Sequence, residues 1–275
     1  MRANRALGIR SLRAACLLVL GGALAAAGAT GRLHQAPREE ILSRPLEPGQ
    51  AVIWSAGGSS NDRRALAPES ATVEGPQPVT DYDGNIYRTV QIGRQIWMAE
   101  DLKVTHYRDG SPIPNVPDND VWPELRTGAL CWLDDDPSSF KDVYGALYNY
   151  FAVADPRKLS PAGWHIPTID EWLILENELG GRDVAGNKLK DIASHLWQVI
   201  HPGANNASGF SARPAGGRGR FGSPGEAGRF ATWWASTSYD VDFAWHWGLF
   251  PDRGAIRSNP GHKASGFSVR CVKDQ

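Results

Sequence analysis

The sequence lacks an excess of positive charge, because its 29 lysine and arginine residues are matched by 30 aspartate and glutamate residues. Four of the arginines lie within the first 13 residues, and the chain without them carries a formal charge of about −5. Nucleic acids and anionic membranes are both bound through cationic surfaces. The composition therefore disfavours both as the main partner.

A hydrophobic run long enough to cross a membrane is also missing. The apolar run from Ala14 to Leu24 is shorter than the roughly 20 residues of a spanning helix. It follows four arginines and ends in small residues through Ala29, which is the pattern of a signal peptide. We expect residues 1–29 to be cleaved on export, with no stable transmembrane anchoring and a secreted, periplasmic or cell-surface destination.

Residues 30–78 lack a hydrophobic period and are rich in proline, glycine, serine, arginine and glutamate. This composition is typical of a flexible linker, because it offers too little apolar surface for a packed core. The character changes at Val79, where β-forming residues and turn signals begin. The sequence thus predicts a signal peptide at 1–29, a flexible linker at 30–78 and one folded domain at 79–275.

Cysteine is scarce, with three residues in the chain. Cys16 belongs to the predicted signal peptide, so Cys131 and Cys271 remain after export. An even pair in an oxidising compartment indicates a disulfide, which would stabilise the fold by roughly 5 kcal/mol if it is unstrained. Two separate buried thiols are the alternative.

A catalytic motif is lacking as well. The Gly-x-Ser-x-Gly pattern is absent, and the histidines are scattered along the chain. His165 is interpreted as a hydrogen-bonded structural residue rather than a general base. The run from Gly217 to Gly222 matches Gly-x-Gly-x-x-Gly by spacing alone, and Pro224 follows it, so we interpret it as a flexible loop and not a dinucleotide site.

The clearest helix signal begins at Thr168. Thr168 and Glu171 have the spacing of a capping box, in which each side chain accepts a hydrogen bond from the other residue's backbone N–H. Apolar residues follow at helical spacing, and Gly180-Gly181 predicts the end of the helix. A second, shorter helix is predicted from Val184 to Ile192. Thr168 and Glu171 are therefore assigned as structural cap residues.

Strands are predicted on both sides of these two helices. Turn signals at Asp83-Gly84 and Gly93-Arg94 separate β-forming runs near the start of the domain. Further strands are predicted at Ala129 to Leu133, Thr232 to Ser238, Phe243 to Phe250 and Ser265 to Val272, and the aromatic run Tyr144 to Val153 is placed in the core. This order, with its long loops, predicts an α+β domain with extensive irregular structure.

Six segments of the domain stand in the order of a known family. They are Asp83-Gly84-Asn85-Ile86-Tyr87, the run Gln95 to Leu102 (QIWMAEDL), the run Tyr144 to Tyr150 (YGALYNY), the run Gly163 to Thr168 (GWHIPT), the run Trp233 to Thr237 (WWAST) and the run Gly266 to Val272 (GFSVRCV). Together they resemble the Fibrobacter succinogenes major paralogous domain, over about Val79 to Asp274.

The resemblance implies a C-type-lectin-like fold, similar to that of sulfatase-modifying factors, with short β-strands, two helices and long irregular loops. It also implies an exported bacterial protein and no established catalytic activity. Formylglycine-generating relatives use two reactive cysteines near the end of the domain, whereas this chain has only Cys271 there. Members often carry a cysteine where this chain has Ser160, which weakens the case for a Cys131–Cys271 pair.

Two acidic loops offer hard oxygen ligands for Ca²⁺, namely Asp118-Asn119-Asp120 and Asp134-Asp135-Asp136. Asp134 and Asp136 are the candidate ligands. The Glu-Pro-Asn and Trp-Asn-Asp elements of calcium-dependent sugar-binding lectins are absent, and solvated acidic loops are the alternative. No other cofactor is predicted.

Tryptophan, in contrast, is abundant, with eleven residues in the chain. Trp234, Trp245 and Trp247 are the candidate ligand-binding residues, because indole faces stack on sugars and exposed aromatic patches mark binding sites. In a strand, Trp245 and Trp247 share one face, whereas the adjacent Trp233 and Trp234 point to opposite faces. At least one of that adjacent pair should be buried, and burial of the whole group is the alternative.

The sequence favours an exported, non-catalytic recognition or surface-associated module that binds polysaccharide or another cell-envelope component. An enzyme related to the sulfatase-modifying factors, with different and metal-dependent chemistry, is the first alternative. A structural domain without a small ligand is the second, and it predicts that all four named tryptophans are buried.

Overall fold

The protein is described by a computed structural model over residues 76–223 and 225–275. The predicted signal peptide and all but the last three residues of the predicted linker lie outside the described residues. Among the helices that are described, none has the length and apolar character needed to cross a membrane.

Short elements joined by long loops make up the described part of the chain. The helices are α1 (Pro137–Tyr144), α2 (Tyr150–Val153), α3 (Ile169–Glu178) and α4 (Arg182–Leu189). The strands are β1 (Val79–Thr80), β2 (Ile86–Tyr87), β3 (Thr89–Ile92), β4 (Gln95–Met98), β5 (Leu130–Cys131), β6 (Leu147–Asn149), β7 (Trp164–His165), β8 (Ala231–Ser238), β9 (Phe243–Leu249), β10 (Ile256–His262), β11 (Gly266–Phe267) and β12 (Val272–Lys273). The predicted α+β class is confirmed, but the described residues form four α-helices where two were predicted, because α1 and α2 are short helices outside the predicted pair.

The strands form small antiparallel sheets. β1 pairs with β2, and the other described sheets have the orders β3-β4-β12-β7, β11-β6-β5 and β10-β9-β8. The last strand, β12, lies between β4 and β7 and therefore joins the two ends of the domain. Because β11 and β12 belong to different sheets, the single strand predicted from Ser265 to Val272 is in fact two.

The two turns predicted near the start of the domain are confirmed. Gly84 has φ 81° between β1 and β2, and Gly93 has φ 59° between β3 and β4. Left-handed backbone of this kind costs glycine little. At the first turn, the Asp81 carboxylate accepts hydrogen bonds from the Asn85 backbone N–H at 2.9 Å and from the Tyr87 hydroxyl at 2.6 Å. The side chain of Asp81 thus fixes the hairpin to the core.

The capping box of α3 is present as predicted. The Glu171 N–H donates to Thr168 Oγ1 at 3.3 Å, and the Thr168 N–H donates to Glu171 Oε2 at 2.8 Å. The helix stops before Gly180 and Gly181, which have φ 96° and 93°. α4 spans Arg182–Leu189 instead of the predicted Val184 to Ile192, because Gly181 is its N-cap residue and the chain becomes extended after it ends.

Several of these elements were not predicted from the sequence, among them α1 and β10. In α1, Asp136 is the N-cap residue and Pro137 the first helical residue, a favourable start that precedes a mostly polar segment. β10 carries Pro260, a residue tolerated in strands mainly at sheet edges, and β10 is an edge strand of its sheet. In both elements the polar composition hid the regular structure.

Aromatic-rich cores lie on both faces of β8. Trp233 packs in one core, where Trp172 stacks on Trp247 with ring centroids 5.4 Å apart and planes 9° apart. Trp234 packs in the other core, edge to face with Tyr150 at 5.4 Å. Because both faces are covered, both members of the adjacent tryptophan pair are buried. The cores provide a rigid base for the loops.

Candidate functional site

The predicted tryptophan site is largely wrong. The rings of Trp234 and Trp247 are fully buried, and so is Trp233. The indole N–H of Trp234 donates to the Tyr148 carbonyl at 2.8 Å, and that of Trp247 donates to the Glu176 carboxylate. These rings cannot stack on a ligand, because they lie in cores on both faces of the β10-β9-β8 sheet.

Trp245 differs from the other tryptophans of this sheet. It is half-buried against the core, and its ring meets Tyr239 edge to face with centroids 5.3 Å apart. Tyr239 is 55% exposed. Part of an aromatic surface therefore remains beside the β8–β9 hairpin, and ligand stacking on Trp245 stays a prediction.

The predicted disulfide is also wrong. Cys131 and Cys271 are free thiols that lie in different hydrophobic clusters, Cys131 beside Trp122 and Leu147 and Cys271 in the core that contains Trp234. Burial raises the pKa of the Cys131 thiol to about 11 and raises that of Cys271 further. Two separate buried thiols, the alternative weighed above, are what the structure contains.

Arg218 fastens the glycine-rich loop to its neighbours. Its guanidinium donates to the carbonyls of Val116 at 2.8 Å and Pro117 at 2.7 Å, and to Asn119 Oδ1 at 2.6 Å. It also donates to the Gly222 carbonyl and lies over the Trp122 ring, 4.5 Å from the centroid. The segment interpreted as a flexible loop is thus held by one buried side chain.

Gly222 is needed where this loop meets the acidic loop. It has φ 85°, and a Cβ atom there would lie 2.2 Å from the Asn119 carbonyl oxygen. Backbone approach this close excludes any larger residue. Gly222 and Arg218 together bring the glycine-rich loop against residues 117–119.

A cleft of about 210 Å³ opens between these loops, and we call it the loop cleft. Parts of three otherwise buried side chains, Trp132, Leu133 and Leu147, form its apolar wall, while Asn119, Asp134, Asp135 and Arg218 supply its polar groups. Asn119 and the two aspartates are exposed, whereas Arg218 is 4% exposed. A few polar groups converging on an apolar surface are typical of small-ligand sites.

The two acidic loops that were predicted as calcium ligands therefore meet at one cleft. Asp134 and Asp135 have φ 49° and 55°, a left-handed backbone that is uncommon outside glycine. Asp136 is instead the N-cap residue of α1 and accepts from the Ser139 N–H at 3.1 Å. Hydrogen bonds from Ser138 and Ser139 hold the pKa of the Asp136 carboxyl below its usual range.

Asp136 is thus engaged as the N-cap residue of α1, whereas Asp134 lines the loop cleft. Within the residues that the structure describes, no group of three or more His, Cys, Asp or Glu side chains is placed to hold a metal ion. The loop cleft offers two exposed carboxylates and an amide, which suit hydrogen bonding to a neutral polar ligand, beside an apolar surface.

A second polar centre lies in the core, where several of the family-like segments meet. Asp101 Oδ1 accepts from Arg270 Nε at 2.8 Å and from the Trp233 indole N–H at 2.8 Å. The Arg270 guanidinium lies 4.0 Å from the Phe210 ring centroid and donates to the Phe210 carbonyl. This ion pair ties β8 and the last strands to the segment after β4.

His165 holds the chain end. Its Nε2 lies 2.7 Å from Glu171 Oε1 and its Nδ1 lies 2.6 Å from Asp274 Oδ1. Burial lowers the pKa of His165, but hydrogen bonds with Asp274 and Glu171 outweigh that effect and raise it. The expected hydrogen bonding of His165 is confirmed, on both ring nitrogens.

The structure defines a loop-rich α+β domain with a small cleft between its loops. A family model described as the Fibrobacter succinogenes major domain matches residues 90–273, about two thirds of the chain, and the chain belongs to this family. No curated protein and no solved structure matches it.

Proposed function

We propose that the protein is an exported, non-catalytic recognition module that binds a saccharide unit of a polysaccharide, or another cell-envelope component, in the loop cleft. The observation that carries this proposal is the convergence of Asn119, Asp134 and Asp135 beside Trp132 and two leucines. A sugar presents hydroxyl groups and apolar C–H surface at once, and the cleft offers partners for both.

The chemistry of the cleft favours binding over catalysis. Its thiol group, Cys131, is 2% exposed and has a pKa raised to about 11 by burial, which Arg218 only partly opposes. The thiolate is the reactive form of cysteine, and at neutral pH it is almost unpopulated here. Asp134 and Asp135 are exposed carboxylates that accept hydrogen bonds from hydroxyl groups.

The C-type-lectin-like reading of the fold belongs to the same proposal. Small antiparallel sheets and the α3–α4 pair support long loops, and the cleft lies between loops. Binding residues occur disproportionately on loops held by a rigid scaffold. The N-terminal features add a cleavable export signal and a linker, which would tether the domain to an exported assembly or envelope.

Trp245 is a second contact in this proposal. A polysaccharide is longer than one cleft, and a half-buried indole next to an exposed tyrosine provides a stacking surface for another sugar ring. Its contribution is expected to be smaller than that of the cleft, because only part of the ring is accessible.

The test is a binding screen with the full chain against neutral, acidic and amino-sugar polysaccharides, followed by affinity measurements. The variant Asp134→Asn/Asp135→Asn keeps the shape of the cleft and weakens its acceptors. We expect it to lower affinity at least about tenfold, since each hydrogen bond to a charged group is worth about 1.5–3 kcal/mol.

Asp170→Asn is the matched control, because Asp170 is an exposed carboxylate in the first turn of α3. It should bind as the unaltered chain does. Trp245→Ala should weaken binding of long chains and leave short oligosaccharides unaffected. Absence of binding across the whole panel, or equal binding by the Asp134→Asn/Asp135→Asn variant, would refute the proposal.

A further inference from the structure

A second cavity, with a different electrostatic character, lies above the Asp101–Arg270 pair. It has a volume of about 120 Å³, several times the roughly 30 Å³ that a water molecule occupies in the liquid. Its charged lining comprises Lys103, Lys141, Arg213 and Arg270 on the basic side and Glu100, Asp101 and Asp142 on the acidic side. We call it the basic cavity.

The floor of the basic cavity is a buried ion pair. The side chains of Arg270 and Asp101 are 1% and 3% exposed. Arg270 Nε donates to Asp101 Oδ1 at 2.8 Å, and the Trp233 indole N–H donates to the same oxygen. The floor is therefore rigid, and its indole N–H can report on events in the cavity.

Each acidic group of the lining already has a basic partner. Asp142 lies 2.6 Å from Lys103 Nζ, and Glu100 lies 2.7 Å from Arg88, which is outside the lining. Arg270 pairs with Asp101, as described above. The acidic groups are thus neutralised by side chains that the fold holds in place.

The basic groups are not all neutralised. Arg213 Nε contacts Asp191 at 3.3 Å, and its Nη1 donates to the Val143 carbonyl at 3.0 Å. Lys141 forms no salt bridge with any residue the structure describes and is only attracted toward Asp142 at longer range. One positive charge is therefore in excess around a small cavity with several N–H donors.

We propose that the basic cavity binds a small oxyanion, with Lys141 and Arg213 as the groups that meet it and the Asp101–Arg270 pair as its floor. A carboxylate, sulfate or phosphate group has the size for this cavity and accepts several N–H donors at once. The site is separate from the loop cleft and does not depend on saccharide binding.

The test is a titration of the full chain with phosphate, sulfate or acetate against chloride at constant ionic strength, followed by NMR of the tryptophan indole N–H groups. We expect a saturable shift of the Trp233 indole signal. The Trp122 indole, which donates to the Ala264 carbonyl beside Arg218, should not move. The anion that binds most tightly identifies the group recognised.

Lys141→Gln should weaken oxyanion binding about tenfold, the factor for one hydrogen bond to a charged group. Lys273→Gln, which removes the same charge from an exposed position on β12, should leave the affinity unchanged. The proposal is overturned if none of the three anions shifts Trp233 saturably, if Trp122 moves instead, or if the two lysine variants lose affinity equally.

Discussion

Two buried arginines support different parts of this molecule. Arg270 is paired with the Asp101 carboxylate and lies over Phe210 in the centre of the domain. Arg218 lies over Trp122, but it donates to carbonyl and amide oxygens of the segment 116–119 and of its own glycine-rich loop. Arg270 links strands in the core, which we call the scaffold, and Arg218 holds loops around the loop cleft.

The difference shows how a domain with little regular structure satisfies its backbone. Loop carbonyls have no sheet or helix partner, and a buried carbonyl without a partner is costly. A guanidinium has five N–H donors in a fixed plane and can serve several carbonyls at once. Arg108 does the same for the carbonyls of Ser160, Pro161 and Trp164. Arginine side chains therefore donate some of the hydrogen bonds that backbone N–H groups donate to carbonyls within a sheet or helix.

The largest expected change in the free energy of unfolding follows from replacing Arg270, the arginine of the scaffold. Arg270→Met leaves the Asp101 carboxylate buried without its counter-charge, so we expect a loss of about 3–5 kcal/mol in the free energy of unfolding. Urea denaturation of the full chain measures it. Arg88→Met is the control, because the Arg88–Glu100 pair is exposed and should contribute less than about 1 kcal/mol. Similar losses of stability in both variants would contradict the claim that the buried Arg270–Asp101 pair contributes more than the exposed Arg88–Glu100 pair.

A smaller loss of stability is expected from replacing Arg218, the arginine that holds the loops. Arg218→Lys keeps the positive charge but cannot reach four oxygens, so we expect a loss of about 1–3 kcal/mol together with weaker saccharide binding. Arg220→Lys, at an exposed position in the same loop, should change stability by less than about 0.5 kcal/mol. Hydrogen exchange should increase in residues 116–119 of the Arg218 variant. A loss equal to that of Arg270→Met would contradict the comparison.

A still smaller contribution to stability is expected from His165, which links Asp274 to Glu171 in the scaffold. The pKa of His165 is raised in the folded protein, so its stabilisation is complete below its unfolded value of about 6.5 and is lost as pH rises through the folded value. The side chains of His165 and Asp274 are partly exposed, and the contribution should stay below about 1 kcal/mol.

The measurement is urea denaturation of the unaltered chain and His165→Gln between pH 6 and pH 8.5. The stability difference between the two proteins should shrink as pH rises, because the imidazolium that bridges two carboxylates loses its charge. Burial lowers the pKa of His246 to about 4, so this residue changes the free energy of unfolding mainly at lower pH. It does so equally in both proteins and does not affect their difference. A constant difference would rule out a charged His165 bridge.

The smallest effect is expected from reducing agents. With Cys131 and Cys271 as separate buried thiols, reductant should change the free energy of unfolding by less than about 0.5 kcal/mol, whereas a disulfide would contribute about 5 kcal/mol. Thiol labelling of the folded chain should be slow at both positions. A saccharide bound in the loop cleft should slow labelling of Cys131 and leave Cys271 unchanged. A non-reducing mass two daltons below the free-thiol form would contradict the structure.

Local signals allowed the scaffold to be predicted. The Thr168–Glu171 capping box, the glycine stop after α3 and the turns at Gly84 and Gly93 depend on neighbours within a few residues. The edge strand β10 escaped prediction because its polar residues and proline lack an alternating pattern. The pairing of β12 between β4 and β7 is a long-range contact that no local signal encodes.

The candidate site was predicted only in part. The two acidic loops were identified as ligand donors, but the place of residues 116–119 depends on Arg218, and most of its partners are backbone carbonyls that carry no sequence signal. The tryptophans were assigned to a binding surface because indole faces stack on sugars, although strand alternation already required one of Trp233 and Trp234 to be buried. Here β8 has a core on each face, so alternation placed Trp233 and Trp234 in two different cores.

Hydrogen exchange of the full chain with and without a bound polysaccharide tests the central claim most directly. If the loop cleft is the binding site, protection should appear in residues 117–120, 131–136 and 217–223, with only weak changes around Trp245. Protection confined to the β8–β9 hairpin, with no change in those three loop segments, would contradict it.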